Sequence, residues 1–324
     1  MKLKHLYFHH PSNLETNESV IQEFEAKEIP MQKLQEALGR THRYIIPSQA
    51  RETSLSLGIE AAKGVLCQSN ISIEDIDLII FVSSTPEHQV PCDAIFIHRA
   101  LQGKPNTMCY DLNANCIGAF IAVDQSVRYL ATNSNTQKAL IVCAEKLSRI
   151  VDDNNPVTAF CFSDTAFALI LEKDDTTSGL LAVEYHTDSQ CSDTILFPPQ
   201  GYSCSIPGDV MAWDTTFDGS GSIHFVTHKL EHFLAQHQLT LDDISLFLFS
   251  QFSYKNAKMI KDYYQLADEK TPFYSHVFGY TGSSSPFLVL HHFQETVRPI
   301  KQGEYILIWT LGAGYQTGLM LWKY

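Results

Sequence analysis

Hydrophobic positions along this chain follow two alternating rhythms. Over residues 51–68 apolar side chains recur at three- and four-residue spacing, which predicts an amphipathic helix. The short apolar run Ile76-Asp77-Leu78-Ile79-Ile80-Phe81-Val82 follows it and reads as a strand buried on both faces. The same order returns far downstream, where a helical pattern over 222–237 precedes Ile244-Ser245-Leu246-Phe247-Leu248-Phe249. Even the approaches match, Ser72-Ile73-Glu74-Asp75-Ile76 against Thr240-Leu241-Asp242-Asp243-Ile244. Two further correspondences keep that order. Strand 107–112, an elbow and a helix over about 117–131 match strand 271–277, a Gly/Ser turn and a helix over 286–293; strand 138–144 matches 305–311. The opening residues 1–10 read as a first strand. Three repeats in one order predict a duplicated α/β fold, with halves at 1–175 and 176–324. They put the elbow of Cys116 and the turn at 279–285 in equivalent positions, facing each other near a pseudo-twofold axis.

The elbow carries the chemistry. Residues 107–112 form an apolar run, Asn113 and Asn115 are turn and cap residues, and helical spacing starts at Ile117. Cys116 is thus expected at the first turn of a helix, where unpaired N–H groups and the helix dipole stabilise a thiolate and lower its pKa. A thiol so placed is a nucleophile without needing a strong base beside it. Free cysteine is also among the most buried residue types, so the local sequence leaves a catalytic thiol and a small core residue equally open.

Bulk properties narrow the field. The chain has 324 residues, 44% hydrophobic and 18% charged, which fits a large packed core and argues against disorder. No run approaches the roughly 20 apolar residues of a membrane span, and the N-terminus lacks a signal-peptide pattern, so a cytoplasmic location is expected. Eight cysteines occur without a C-x-x-C pair or ligand-like histidine spacing, which argues against a metal site and a disulfide framework. A net charge of −13 argues against nucleic-acid binding and leaves any acidic partner dependent on a local basic patch.

Four motifs then carry a resemblance: Asp111-Leu112-Asn113-Ala114-Asn115-Cys116-Ile117-Gly118-Ala119-Phe120, Phe162-Ser163-Asp164-Thr165-Ala166-Phe167-Ala168, Gly279-Tyr280-Thr281-Gly282-Ser283-Ser284-Ser285, and Leu311-Gly312-Ala313-Gly314-Tyr315-Gln316-Thr317-Gly318. In order and spacing they are similar to D-x-x-x-A-C-x-G, F-G-D-G-A-G-A, G-N-T-S-A-A-S and F-G-G-G-F-T-W-G of the thiolase-fold condensing enzymes, specifically β-ketoacyl-acyl-carrier-protein synthase III. The resemblance covers essentially the whole chain. It implies a thiolase-like fold, two pseudo-equivalent α/β halves in a five-layer αβαβα arrangement, and Cys116 as the residue that accepts an acyl group.

The same resemblance exposes a departure. Family members use Cys, His and Asn, the last two to drive malonyl decarboxylation. Their H-Q-A-N motif falls on Ser250-Gln251-Phe252-Ser253, so Ser250 occupies the His slot, and Tyr280 occupies the Asn slot. Neither hydroxyl offers a neutral imidazole poised near neutral pH. The oxyanion hole implied for acyl transfer, the Cys116 N–H with the turn at Gly312 and Ala313, remains. Self-acylation of Cys116 is therefore expected to persist and decarboxylation to be weak or absent.

Other residues are weighed alongside. Ser250 has no His or Asp pattern around it and reads as a polar strand-end residue rather than a second nucleophile. Tyr280 either donates to an acyl carbonyl or fills the space left by Asn and His, filling being favoured. Val90 stands where the family has a pocket-lining Phe before Pro91; Gln251 and His276 are further pocket candidates. Lys255, Lys258 and Lys261 form a basic stripe, read as a solvated face or, by resemblance, as docking for an acyl carrier protein. The family's coenzyme A clamp, Trp and Arg, falls on Lys33 and Ala37, which favours carrier-protein delivery over coenzyme A. No permanently bound cofactor is expected, acyl-carrier protein or acyl-coenzyme A being substrate, and the resemblance implies a dimer, of identical chains or with a paralogue. Three functions follow: an acyltransferase to a non-malonyl acceptor in a fatty-acid, polyketide-like or specialised-metabolite pathway; a non-catalytic or half-active subunit; or a decarboxylating synthase with substituted helpers.

Overall fold

A computed structural model describes residues 1–174, 178–214, 216–217 and 219–324. Two mixed sheets lie one above the other. In the first, the order is Lys2–His9, Thr165–Glu172, Lys138–Glu145, Leu78–Val82, Met108–Leu112. In the second it is Gly179–Thr187, Gln316–Lys323, Tyr305–Gly312, Ile244–Phe249. Directions match over the four strands the sheets share: Leu78–Val82 runs parallel to Lys138–Glu145 as Ile244–Phe249 does to Tyr305–Gly312, and the other shared pairs are antiparallel in both; the fifth strand of the first sheet, Met108–Leu112, runs parallel to Leu78–Val82. The helices that precede the matching strands, Ser54–Ser69 and Ser220–Ala235, are each 16 residues long. The first is closed at its start by Thr53 and Ser56, which bond each other's backbone N–H, and at its end by Asn70 in the left-handed region.

Strand alternation assigns the layers. Leu78, Ile80 and Val82, together with Leu246, Leu248, Ile306 and Ile308, face a shared interior filled by helices Gly118–Thr132 and Ser285–Thr296. Ile79 and Phe81 face the opposite way, toward helices Ser54–Ser69 and Asp93–Leu101. Phe247 and Phe249 point to the helices on the far side of the second sheet, Ser220–Ala235 and Tyr254–Tyr264. The result is five layers, αβαβα. The two carboxylates of the motifs fix loops within this stack. Asp111 accepts from the N–H groups of Asp93 and Ala94 at 2.7 and 2.8 Å, anchoring a helix start, and Asp164 accepts from the N–H groups of Ile46 and Ser148, both at 2.9 Å.

Two expected elements differ. The strand predicted as buried over 107–112 is Met108–Leu112, an edge strand paired only with Leu78–Val82 and left half-buried, with Met108 exposed. Its apolar side chains mimic a central strand although one edge is uncovered. Its predicted counterpart at 271–277 is not a strand. The side-chain oxygen of Gln251 takes the N–H groups of Tyr274 and Ser275 at 2.8 and 3.3 Å, and the chain then turns into the short helix Ser275–Phe278. The expected division at 175/176 lies outside the described residues; the first sheet draws on residues 2–172 and the second on 179–323. The other predicted helices and strands are present to within a few residues. Among the described residues no helix is long and apolar enough to cross a membrane.

Phe120 ties the middle layer to the second sheet. It is fully buried, stands edge-on to Tyr185 at 5.6 Å, and a Cβ at Gly318 would come within 2.9 Å of its ring. Phe120→Ala is expected to cost about 3–5 kcal/mol, read from chemical denaturation.

Candidate active site

The elbow is built from local hydrogen bonds. The Asn113 side-chain oxygen accepts the Asn115 N–H at 3.2 Å, and Asn115 takes a left-handed conformation, φ 43°, that asparagine tolerates. A 3-10 turn, Asn115–Ile117, then carries Cys116 directly into the helix Gly118–Thr132. Glycine is required at 118, because a Cβ there would stand 2.6 Å from Val82 Cγ1. The second half supplies the opposing turn, the 3-10 segment Gly282–Ser284 that leads into Ser285–Thr296, and the two turns touch. That is the facing arrangement the repeat predicts.

Tyr280 is held by its backbone. Its N–H donates to the Cys161 carbonyl at 3.1 Å and its own carbonyl accepts from Ser163 at 3.0 Å. The phenol packs 5.4 Å from the Phe252 ring and 6.0 Å from that of Phe162. Ser250 ends the strand Ile244–Phe249, its N–H bonded to the Trp309 carbonyl at 2.8 Å. The Tyr280 hydroxyl is buried beside both the Cys116 thiol and the Ser250 hydroxyl, near enough for both to act on its ionisation and for it to act on that of the thiol, although it makes no well-formed hydrogen bond. Cys116, Ser250 and Tyr280 are therefore one cluster.

Cys116 and Tyr280 line a cavity of about 200 Å³. Its walls are largely apolar, among them Leu147, Ile150, Phe162, Met211, Trp213 and Phe252, and its polar lining includes Ser84, Asn115 and Glu145. An engineered apolar cavity of ~150 Å³ admits benzene, so this one has room for a short acyl chain. Gly312 and Ala313 border the same space.

The electrostatics overturn one expectation. The thiol was expected to be acidified by a helix start, yet burial pushes Cys116 up to about 12. The Tyr280 hydroxyl opposes this and the Glu145 carboxylate reinforces it. A short 3-10 turn ahead of the helix offers little dipole, and desolvation of a thiolate outweighs it. Glu145 is itself raised to about 7 by burial, against hydrogen bonds from the Ser84 N–H, Thr85 and Ser83. Behind the cluster lies Arg40, fully buried, its Nη1 donating to Cys161 Sγ at 2.9 Å and its guanidinium 5.6 Å from the Tyr280 ring centre.

Comparison with known proteins agrees with this fold. The sequence profile described as 3-Oxoacyl-[acyl-carrier-protein (ACP)] synthase III matches residues 110–189, and its C-terminal counterpart matches 234–324, together more than half of the chain. The β-ketoacyl-[acyl-carrier-protein] synthase III of Aliarcobacter butzleri is 29% identical over 284 residues, 84% of each chain, and that of Limosilactobacillus reuteri is 28% identical over 293 residues, 88% of each. Among solved structures, synthase III from Thermus thermophilus superposes with a TM-score of 0.87 at 21% identity, covering 100% of this chain and 99% of its own. The Aquifex aeolicus enzyme gives 0.86, also at 21%, covering 99% and 98%. The chain belongs to the synthase III family.

Several residues that the sequence had put at the site of this synthase III homologue lie elsewhere. Val90 is 90% exposed, next to the cis bond to Pro91, and does not touch the cavity of its own chain. Gln251 is buried, but its amide is spent on the carbonyl of Phe249 and on the N–H groups of 274 and 275, so it pins backbone rather than lining the cavity. His276 is exposed; its carbonyl, not its ring, is bonded, to Thr41. The lysine stripe is largely neutralised, since Lys258 pairs with Asp262 and Lys261 with Asp268, leaving Lys255 without an ion-pair partner among the described residues. Sequence reasoning passed over Glu145, Arg40 and the wall residues Met211 and Trp213. Glu145 did leave a signal, a carboxylate closing an otherwise apolar strand; Arg40 left none.

Two measurements follow. Peptide-resolved alkylation of Cys116 by iodoacetamide should rise about tenfold per pH unit from 7 to 9.5 without a plateau, because the thiolate stays a minute fraction throughout. Glu145 holds its proton more tightly folded than unfolded, so its contribution to stability is present below the ordinary carboxylate range and is lost as pH rises through about 7. Stability should fall by roughly 3 kcal/mol across that window, and Glu145→Gln should flatten the slope in pH-resolved denaturation.

Proposed function

We propose that this synthase III homologue takes an acyl group from a thioester of an acyl carrier protein or coenzyme A onto Cys116 and passes it to an acceptor other than a malonyl thioester. The observation that carries the reading is the Cys116 sulfur opening on a mostly apolar cavity whose other reactive neighbours are hydroxyls and a carboxylate instead of an imidazole. Glu145, with a pKa near neutrality, is the proton acceptor suited to the thiol. The thiol proton passes to the carboxylate, sulfur bonds to the thioester carbon, and the leaving thiol takes the proton as the old C–S bond breaks.

Decarboxylation asks for more. An enolate needs preorganised donors, and each one lost costs ~10²–10³ in rate. Ser250 and Tyr280 present one hydroxyl each, and burial holds the Tyr280 proton far more firmly than usual. A second reading, a half-active subunit that supports a complete homologue, is favoured by the high pKa of Cys116.

Incubation with acyl thioesters, followed by mass measurement, should place one acyl group on Cys116 and none on Cys116→Ser, with little carbon dioxide released from a malonyl thioester. Absence of any adduct across donors would reject acyl transfer in favour of the subunit role. Introducing Ser250→His together with Tyr280→Asn should raise carbon dioxide release by at least ~10².

A further inference from the structure

The residue before the nucleophile is alanine in the D-x-x-x-A-C-x-G pattern and Asn115 here. Its side chain does not point away from the site. The Asn115 side-chain oxygen accepts the Cys116 N–H at 2.8 Å, and its amide nitrogen donates to the Ala313 carbonyl at 3.4 Å. The same oxygen lies so close to Gly312 that any Cβ there would collide with it. The Asn115 carboxamide thus bridges the elbow of the first half and the 312–314 turn of the second. That gap is where the oxygen of a thioester carbonyl must sit to be stabilised as sulfur attacks. A carboxamide oxygen on a backbone N–H is also a close chemical likeness of a substrate carbonyl on that N–H. Asn115, Gly312 and Ala313 all border the cavity, so an incoming acyl group meets this plug directly.

We propose that Asn115 occupies the oxyanion hole in the resting protein and must swing out before Cys116 can be acylated; the rate consequence rests on the acyl-transfer reading above. Opening breaks two hydrogen bonds, Cys116 N–H to Asn115 and Asn115 to Ala313. The freed N–H then donates to the thioester oxygen, the Cys116 proton moves to Glu145, sulfur bonds to the carbonyl carbon, and the leaving thiol departs with that proton. Asn115 is a positioning residue in this scheme: it decides whether the donor is available and takes no part in bond making. Its left-handed backbone, φ 43°, is one that glycine adopts freely, so Asn115→Gly removes the plug without straining the elbow.

The test compares wild type with Asn115→Gly and Asn115→Ala. Hydrogen exchange of the Cys116 amide, read by NMR, should be at least tenfold faster in both variants, since the bond that holds it is gone. Acylation of Cys116 by the N-acetylcysteamine thioester of hexanoate should accelerate roughly tenfold. Alkylation by iodoacetamide builds no oxyanion and should change less than threefold. Unaltered amide exchange overturns the proposal, as does faster exchange in variants that form the acyl adduct no faster than a wild type that also forms it. If no protein forms an adduct yet exchange accelerates, the plug stands and acyl transfer is what fails.

Discussion

Everything at the site depends on burying one apolar layer between two sheets. Helices Gly118–Thr132 and Ser285–Thr296 have apolar side chains facing both neighbours, and neither sheet alone could cover them. Duplicating the unit solves this, because each half contributes one sheet face and one helix to a common interior. The small residues at the helix starts, Gly118 on one side and Gly282 to Ser285 on the other, let the two turns approach closely. The Cys116 thiol from the first half is thereby set against Tyr280 and the turn at 312–314 from the second.

That same burial sets the chemistry. A thiol near a helix start in water would be acidified; here removal of solvent outweighs the few dipoles left, and the thiol becomes a weaker acid than free cysteine. Glu145 is driven the same way and lands near neutrality. Tyr280 fills the space beside Cys116 and Ser250, with its ring against Phe252 and Phe162. Arg40 behind that ring is a buried guanidinium whose nearest acidic neighbours are thiol and phenol groups.

Much of the site was legible for definite reasons. A turn needing Asn and Gly at fixed positions, followed by helical periodicity, locates Cys116 without coordinates, and the repeat pairs its elbow with the turn at 279–285. Residues whose role depends on where a side chain finally points were not legible. Gln251, His276 and Val90 sit near the motifs in sequence, yet one is tied to backbone and two face outward. The lysines 258 and 261 lost their apparent charge to Asp262 and Asp268, one of which lies a full loop away.

The amino-acid order alone determined the duplicated α/β architecture and the position of the Cys116 elbow, since periodicity, turn residues and capping are local properties that survive in any context. The tertiary structure decided the ionisation of Cys116, the presence of Glu145 in the same cavity and the lodging of Asn115 against Gly312. Each of these depends on burial and on groups brought together by the fold, from 29 positions apart for Cys116 and Glu145 to nearly two hundred for Asn115 and Ala313, and no local pattern encodes it.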